Sequence, residues 1–377
     1  MKTFILATGV LVIALVVALL VQHQTEIALR QQNESLQQRV TQLTEDNERL
    51  LKHPPTPHLP APIMHFSAQP NALSTDDLPA TNLFTRFKDQ APKLTAEQIE
   101  AYLKANGRKA SSLLAAYRTS GDPALLKEAM EKYPNDPQVA FEAAINKDLS
   151  PEQRRAWLDA FKQADPNNAL ANYLSARDYI KAGQMDLAVQ ELVAASGKQQ
   201  FQDYTLDRAQ DDEEAYLSAG YSAAEAERIA MSWLEAPQLV EVKQLGRDLV
   251  ALSSAYSQSG DPASAQAALQ MAMNMGQRYG DTSANPTLLS QLVGMSIQTL
   301  ALEAMNPNSP FGATAQTVQD QLNQLAQQRE AIKELVRQAQ PFMPTLSDQD
   351  MLIYENRRMR FGELAALQWV ASRGAQK

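Results

Sequence analysis

No cysteine occurs anywhere in the 377 residues. That excludes disulfides, thiolate catalysis, Fe–S clusters, Cys-based zinc sites and a diacylglycerol anchor on an N-terminal Cys. A chain without thiols suits export from a bacterial cytoplasm into an oxidising compartment. Histidine is almost as scarce. The four are His23, His53, His58 and His65, so nothing beyond residue 65 carries an imidazole. Ser-His-Asp, Cys-His and His-ligated metal chemistry are therefore excluded from the rest of the chain. Glycine is low, 14 in all, while 44% of residues are hydrophobic; both favour helices over a turn-rich sandwich or barrel. Positive charge is short as well. The net charge is −9 and no long basic tract occurs, so nucleic acid is not an expected partner. No cofactor and no catalytic residue is expected.

What is present begins with MKTFILATGVLVIALVVALLVQ. Phe4 to Val21 is a run of 18 residues without a charge, near the shortest helix that crosses a bilayer. Lys2 and the terminal amine precede it, and the next cation is Arg30. This bias places the N-terminus inside and exports the remainder. The expectation is an uncleaved transmembrane signal anchor over 1–21. It makes the protein a single-pass one of the bacterial inner membrane, with a cytoplasmic N-terminus and a periplasmic C-terminal domain. A cleaved signal peptide is the rival. Val16-Val17-Ala18 is a passable cleavage site, but Leu19-Leu20-Val21 continues the apolar run.

LRQQNESLQQRVTQLTEDNERL follows, within a coiled coil expected over 22–52. Leu29, Leu36, Leu43 and Leu50 fall seven apart, with Asn33, Val40 and Asn47 at the other seam position. A strip of period 3.5 is buried against a partner strip, and Asn at that position fixes register in a parallel dimer. Two chains held in one membrane gain effective concentration, so a parallel homodimer is the expectation. A solvated single helix acting as a spacer is the alternative. HPPTPHLPAP, residues 53–62, then stops the helix with five prolines and favours a semi-rigid polyproline spacer. The linker is placed over 53–93. Its histidines read as solvated residues rather than a metal site.

From residue 94 to 377 the signals are helical. Thr95 with Gln98, Ser150 with Gln153 and Ser222 with Glu225 have the spacing of N-caps and their reciprocal partners. Residues 203–214 hold six acids and one Arg; they lack the alternating Asp and central Gly of a calcium loop and read as a solvated helix start. Met271, Met273 and Met275 read as core filling rather than a copper site, because a helix turns Met273 away from the other two.

Two segments align without gaps, Ala169–Ser196 and Gly246–Met273. In both, a Tyr (179, 256) stands four residues before a Gly (183, 260). An Ala (188, 265) follows the Gly by five, then Leu (192, 269) and Ala (195, 272). A looser copy has Tyr117 and Gly121 but Leu126 in place of Ala. The pattern resembles the tetratricopeptide repeat, in degenerate copies. The Trp common near the start of the first helix is replaced by Asn172 and Leu249. The resemblance covers about 107–280 and implies a solenoid of irregular helical hairpins. It also implies a concave face that receives a protein or peptide partner, which on the best copy is lined by Tyr173, Arg177, Ile180 and Lys181. For 281–377 only helices are expected, such as TAQTVQDQLNQLAQQREAIKELVRQAQ.

The fold expected is thus all-α: a membrane helix, a short coiled coil, a proline-rich linker and a helical repeat domain. The function expected is that of a membrane-anchored, non-enzymatic scaffold or adaptor in the cell envelope. Carboxylate pairs are plentiful, so the alternative is a carboxylate-dependent enzyme of glycan processing. Buried convergent carboxylates in a deep cleft would favour the enzyme, and a shallow groove the scaffold.

Overall fold

The computed structural model describes residues 92–232, 236–281, 287–312 and 316–374, all within one unit. The anchor, the coiled-coil seam from Leu29 to Leu50 and the linker up to residue 91 lie outside the described residues. Among the described residues, no helix is long and apolar enough to cross a membrane.

The described chain is all-helical, without a strand. Fifteen helices follow one another: α1 (Ala96–Asn106), α2 (Ala110–Ser120), α3 (Pro123–Lys132), α4 (Pro137–Ile145), α5 (Pro151–Ala164), α6 (Leu170–Lys181), α7 (Met185–Ser196), α8 (Thr205–Ser218), α9 (Ala223–Ser232), α10 (Pro237–Gln258), α11 (Pro262–Tyr279), α12 (Leu288–Glu303), α13 (Val318–Ala339), α14 (Asp348–Phe361) and α15 (Glu363–Gly374). The caps read from sequence form. Thr95 and Gln98 make a reciprocal capping box, as do Ser150 and Gln153, and Ser222 exchanges hydrogen bonds with Glu225. Each satisfies backbone N–H groups that a helix start leaves unpaired.

Consecutive helices pair off through a recurrent turn. Gly183 and Gly260 take positive φ, 72° and 82°. The next N–H reaches back to the carbonyl of the Tyr: Gln184 N donates to Tyr179 O and Asp261 N to Tyr256 O, each at 2.9 Å. The same turn recurs at Gly220, where the rest of the spacing does not: Glu225, Ile229 and Ser232 stand in place of Ala, Leu and Ala. Gly220, at φ 93°, follows Tyr216 by four, and Tyr221 N donates to Tyr216 O at 3.2 Å. The small residues on the second helices are buried as the spacing demands: Ala188, Ala195 and Ala272 are fully covered, and Ala265, Leu192 and Leu269 nearly so.

The pairs do not stack in chain order. After α7, the segment 197–204 sends the chain back to the N-terminal helices, where α8 packs on α1 and α2. The turn is fixed from inside. Tyr204 sits in the left-handed region at φ 54°, its hydroxyl donates to Asp165 Oδ2 at 2.6 Å, and its ring packs among Phe141 and Phe161. Asp203, buried, accepts from Thr205 Oγ1 at 2.6 Å and Gln238 Nε2 at 3.1 Å. Meanwhile α10 takes the place beside α6. The contacts then run α10, α12, α13, α15, α14, α9, α8 and return through α2, α4 and α5 to α6. The circuit is closed, so the α8–α9 hairpin is held on both sides.

The acid-rich stretch that read as solvated is in part built into this closure, and for Asp203 and Asp212 that expectation is overturned. Arg208, 2% exposed, and Asp212, 5% exposed, point into the seam between α8, α2 and α4. Arg118 Nη2 lies 2.8 Å from Asp212 Oδ1, and Arg208 Nε lies 3.2 Å from Glu142 Oε2. Of the six acids, Asp212 pairs with buried Arg118 and Asp203 is buried against Thr205 and Gln238, while Asp207 and Glu214 stay exposed. The three methionines do fill core: Met273 and Met275 are buried and Met271 packs against the same cluster.

Candidate functional site

A groove of about 530 Å³ opens between the C-terminal end of α11 and helices α12, α13 and α15. It falls within the size range of ligand sites. Its geometry begins with two glycines. Gly276 on α11 and Gly294 on α12 lie at the crossing of the two helices, and a Cβ on Gly276 would sit 2.8 Å from the Gly294 carbonyl oxygen. Only bare backbone permits such an approach. One turn on either side, Gln291 and Gln298 of α12 face the groove, as does Gln277 of α11.

The opposite wall is a stripe of α13. Gln321, Leu325, Gln328, Ile332 and Leu335 recur at steps of four and three, which is one face of a helix. Helix α13 is lightly seated. Of its 22 residues only Val318, Leu325, Val336 and Ala339 are buried, so the stripe's upper part stays open. Leu364 and Gln368 of α15 close the end. That helix is registered against α12 by a cap across the chain: Leu288 N donates to Glu363 Oε2 at 2.6 Å.

The lining has six glutamines, Met295, five aliphatic side chains and Gly280, with no charged group and no aromatic ring. Its floor is buried and its rim exposed: Leu325 and Gln291 are each 5% exposed, while Gln277, Gln328 and Gln368 reach solvent. Glutamine offers a donor and an acceptor and does not titrate. Among the described residues, Gln291 Nε2 is a buried donor with no hydrogen-bond partner.

Beneath the start of α15 lies a second feature. Glu227 of α9, Glu355 of α14 and Glu363 of α15 surround Arg358, which pairs directly with Glu355. Burial pushes Glu227 up to about 7, with Glu213 adding to it. Burial likewise raises Glu355 to about 7 against the pull of Arg358. These carboxylates converge, but none lines the groove. Among the described residues, no cluster of His, Cys, Asp and Glu has the arrangement to hold a metal ion.

The four positions placed on a partner face are engaged within the chain. Tyr173 is buried at 3% exposure, 6.0 Å from the Phe201 ring, and Arg278 Nη1 approaches its hydroxyl at 3.5 Å. Arg177 lies 3.2 Å from Asp248 Oδ2 and 3.4 Å from Glu241 Oε2; Lys181 Nζ donates to the same Glu241 oxygen at 2.7 Å. Ile180 packs against the core. Arg177 and Lys181 thus tie α6 to α10, while Tyr173 is turned toward Phe201 and Arg278 of α11.

The groove glutamines were not singled out from sequence. Their trace was present in QDQLNQLAQQREAIKEL, where Gln321 and Gln328 share a seven-residue spacing with Leu325 and Ile332. Nothing local tells that this face stays half open. No family model, no curated protein and no solved structure matches the chain.

Proposed function

We propose that the protein is a non-enzymatic, envelope-anchored scaffold whose helical unit binds a protein partner. The observation that carries this reading is the groove itself: concave, part apolar, rich in amides and without an ionisable side chain on its lining. Such a surface recognises by shape and hydrogen bonding and offers no general acid or base. The repeated Tyr-x-x-x-Gly turn at Gly183, Gly220 and Gly260 supports a tetratricopeptide-like array, degenerate and folded back on itself. The anchor, zipper and proline spacer of the first 91 residues would hold this unit on the periplasmic side of the inner membrane, paired in a parallel dimer.

The rival is a carboxylate-dependent glycan-processing enzyme. Its best candidates are Glu227, Glu355 and Glu363, but they face Arg358 between packed helices rather than the groove. The reading as a binding protein is therefore preferred. The test is co-purification of partners with the full chain from envelope extract, beside a Leu325→Arg variant that charges the groove floor and an Ala331→Arg variant that charges its exposed rim. A protein retained by the parent and lost from both variants supports the scaffold. Glycan cleavage abolished by Glu227→Gln would replace it with the enzyme.

A further inference from the structure

We infer that the groove takes an uncharged stretch of polypeptide in extended form, with one of its backbone carbonyl oxygens received by Gln291 Nε2. This rests on the binding reading above and names the chemistry of the ligand. Gln291 lines the groove and is 5% exposed; its amide nitrogen is itself covered and has no acceptor among the described residues, so a ligand reaches it once the side chain turns toward the groove. A buried donor left unpaired is costly, and among the described residues this is the one such atom on a residue that lines the groove. An acceptor arriving with a ligand recovers that cost at the moment of binding.

The lining chooses the ligand class. Phosphates and nucleic acids need cations, and the groove has none. Flat sugar faces pack on aromatic rings, and none lines it. Acidic or basic peptides would lose hydration without a counter-charge. What remains complementary is a neutral backbone with apolar side chains: Leu325, Ile332, Leu335 and Met295 take the side chains, while the glutamines pair with peptide groups. A helical ligand has its carbonyls occupied internally, whereas an extended strand leaves them free. The site lies on α11–α13 and α15, apart from the α6 face on which the repeat resemblance placed a partner.

The test is selection of random dodecapeptides displayed on phage against the full-length protein, followed by calorimetry with the enriched peptide. Enrichment should favour neutral, apolar sequences. Their affinity should change by less than ~twofold between low and high salt, because no exposed ion pair forms. Gln291→Leu should weaken binding by ~tenfold or more while raising the melting temperature, since it removes the unpaired amide. That opposition of binding and stability is what a purely structural Gln291 would not produce. Ala331→Arg, on the exposed rim, should abolish binding without changing the melt. Enrichment of charged peptides with steep salt dependence would overturn the inference, as would binding indifferent to both variants. So would uptake of a neutral oligosaccharide such as chitotetraose in place of peptide. If charged peptides bind and an envelope protein still co-purifies, this inference fails alone. If neither peptide nor protein binds, the scaffold reading fails with it.

Discussion

Gly294 faces Gly276 so closely that a Cβ added to Gly294 would lie 2.5 Å from the Gly276 carbonyl oxygen and 2.5 Å from Gly280 N. Both obstacles are backbone, so neither moves without parting α11 from α12. Gly294→Ala would gain about 0.5–1 kcal/mol of helix propensity. The clash exceeds that gain. Overpacking a filled site costs about 1–3 kcal/mol even where side chains can yield. A net loss of at least about 1 kcal/mol is expected in urea unfolding. Because Gln291 and Gln298 ride on the same helix, the groove should lose its ligand too. Unchanged stability would mean that the crossing is looser than described.

Gly183 fails for a different reason when substituted. Nothing lies within 4 Å of a Cβ there, but φ is +72°. The cost is conformational alone. Gly183→Val should lose about 1–3 kcal/mol, since a β-branched side chain is strained in the left-handed region. Gly183→Asn should lose distinctly less, because Asn tolerates that region. Thermal melts of the two variants decide it: equal losses would point to packing rather than to φ.

Local rules carried much of the fold in the sequence. Three N-caps, the helical class and the Tyr-to-Gly turns at 179/183 and 256/260 were legible because each depends on residues within five positions. The return of α8 to α2 was not. It depends on Arg118 meeting Asp212 across 94 positions and on Tyr204 reaching Asp165, neither of which has a periodic signature. Acids in DRAQDDEEAY look the same whether solvated or buried, because only the partner distinguishes them. The candidate site was illegible for the same reason. Gln321 and Gln328 show their shared face in their spacing, but whether that face is covered depends on α12 and α15.

The Arg118 pair gives the buried network its own test. Arg118 bridges Asp212 and Glu142, with both acids nearly covered. Its guanidinium stays charged because burial, which lowers its pKa, is outweighed by these two carboxylates. Arg118→Met would leave Asp212 without its nearest cation, at a cost of about 3–5 kcal/mol by comparison with other broken buried pairs. Arg118→Met combined with Asp212→Leu should recover part of the loss, since no lone charge remains at that contact. Chemical denaturation of the single and double variants measures the coupling. Strict additivity would show that the pair is not coupled in the folded chain.

Stability should also depend on pH through α9. Glu227 faces Glu213 of α8 and Arg358 of α14, and Glu355 adds negative charge with Glu363 close by. Its folded-state pKa stands at about 7, above the ordinary 4.5. Between those values the folded chain holds more protons than the unfolded chain, so stability falls as pH rises through the window and levels off above it. Asp211, raised to about 6 by burial, works in the same direction. Glu128 is held down to about 2 by Arg108 and Lys132; its contribution is lost only as pH falls below 4.5 and so does not mask the effect. The wild-type melting temperature should therefore be higher at about pH 5 than at about pH 8. Glu227→Gln mimics the protonated form. It should raise the melting temperature at the upper pH and leave it nearly unchanged at the lower one, flattening the profile. An equal shift at both values would assign the effect to packing, and a profile as steep as wild type would move the titration to Glu355 or Asp211.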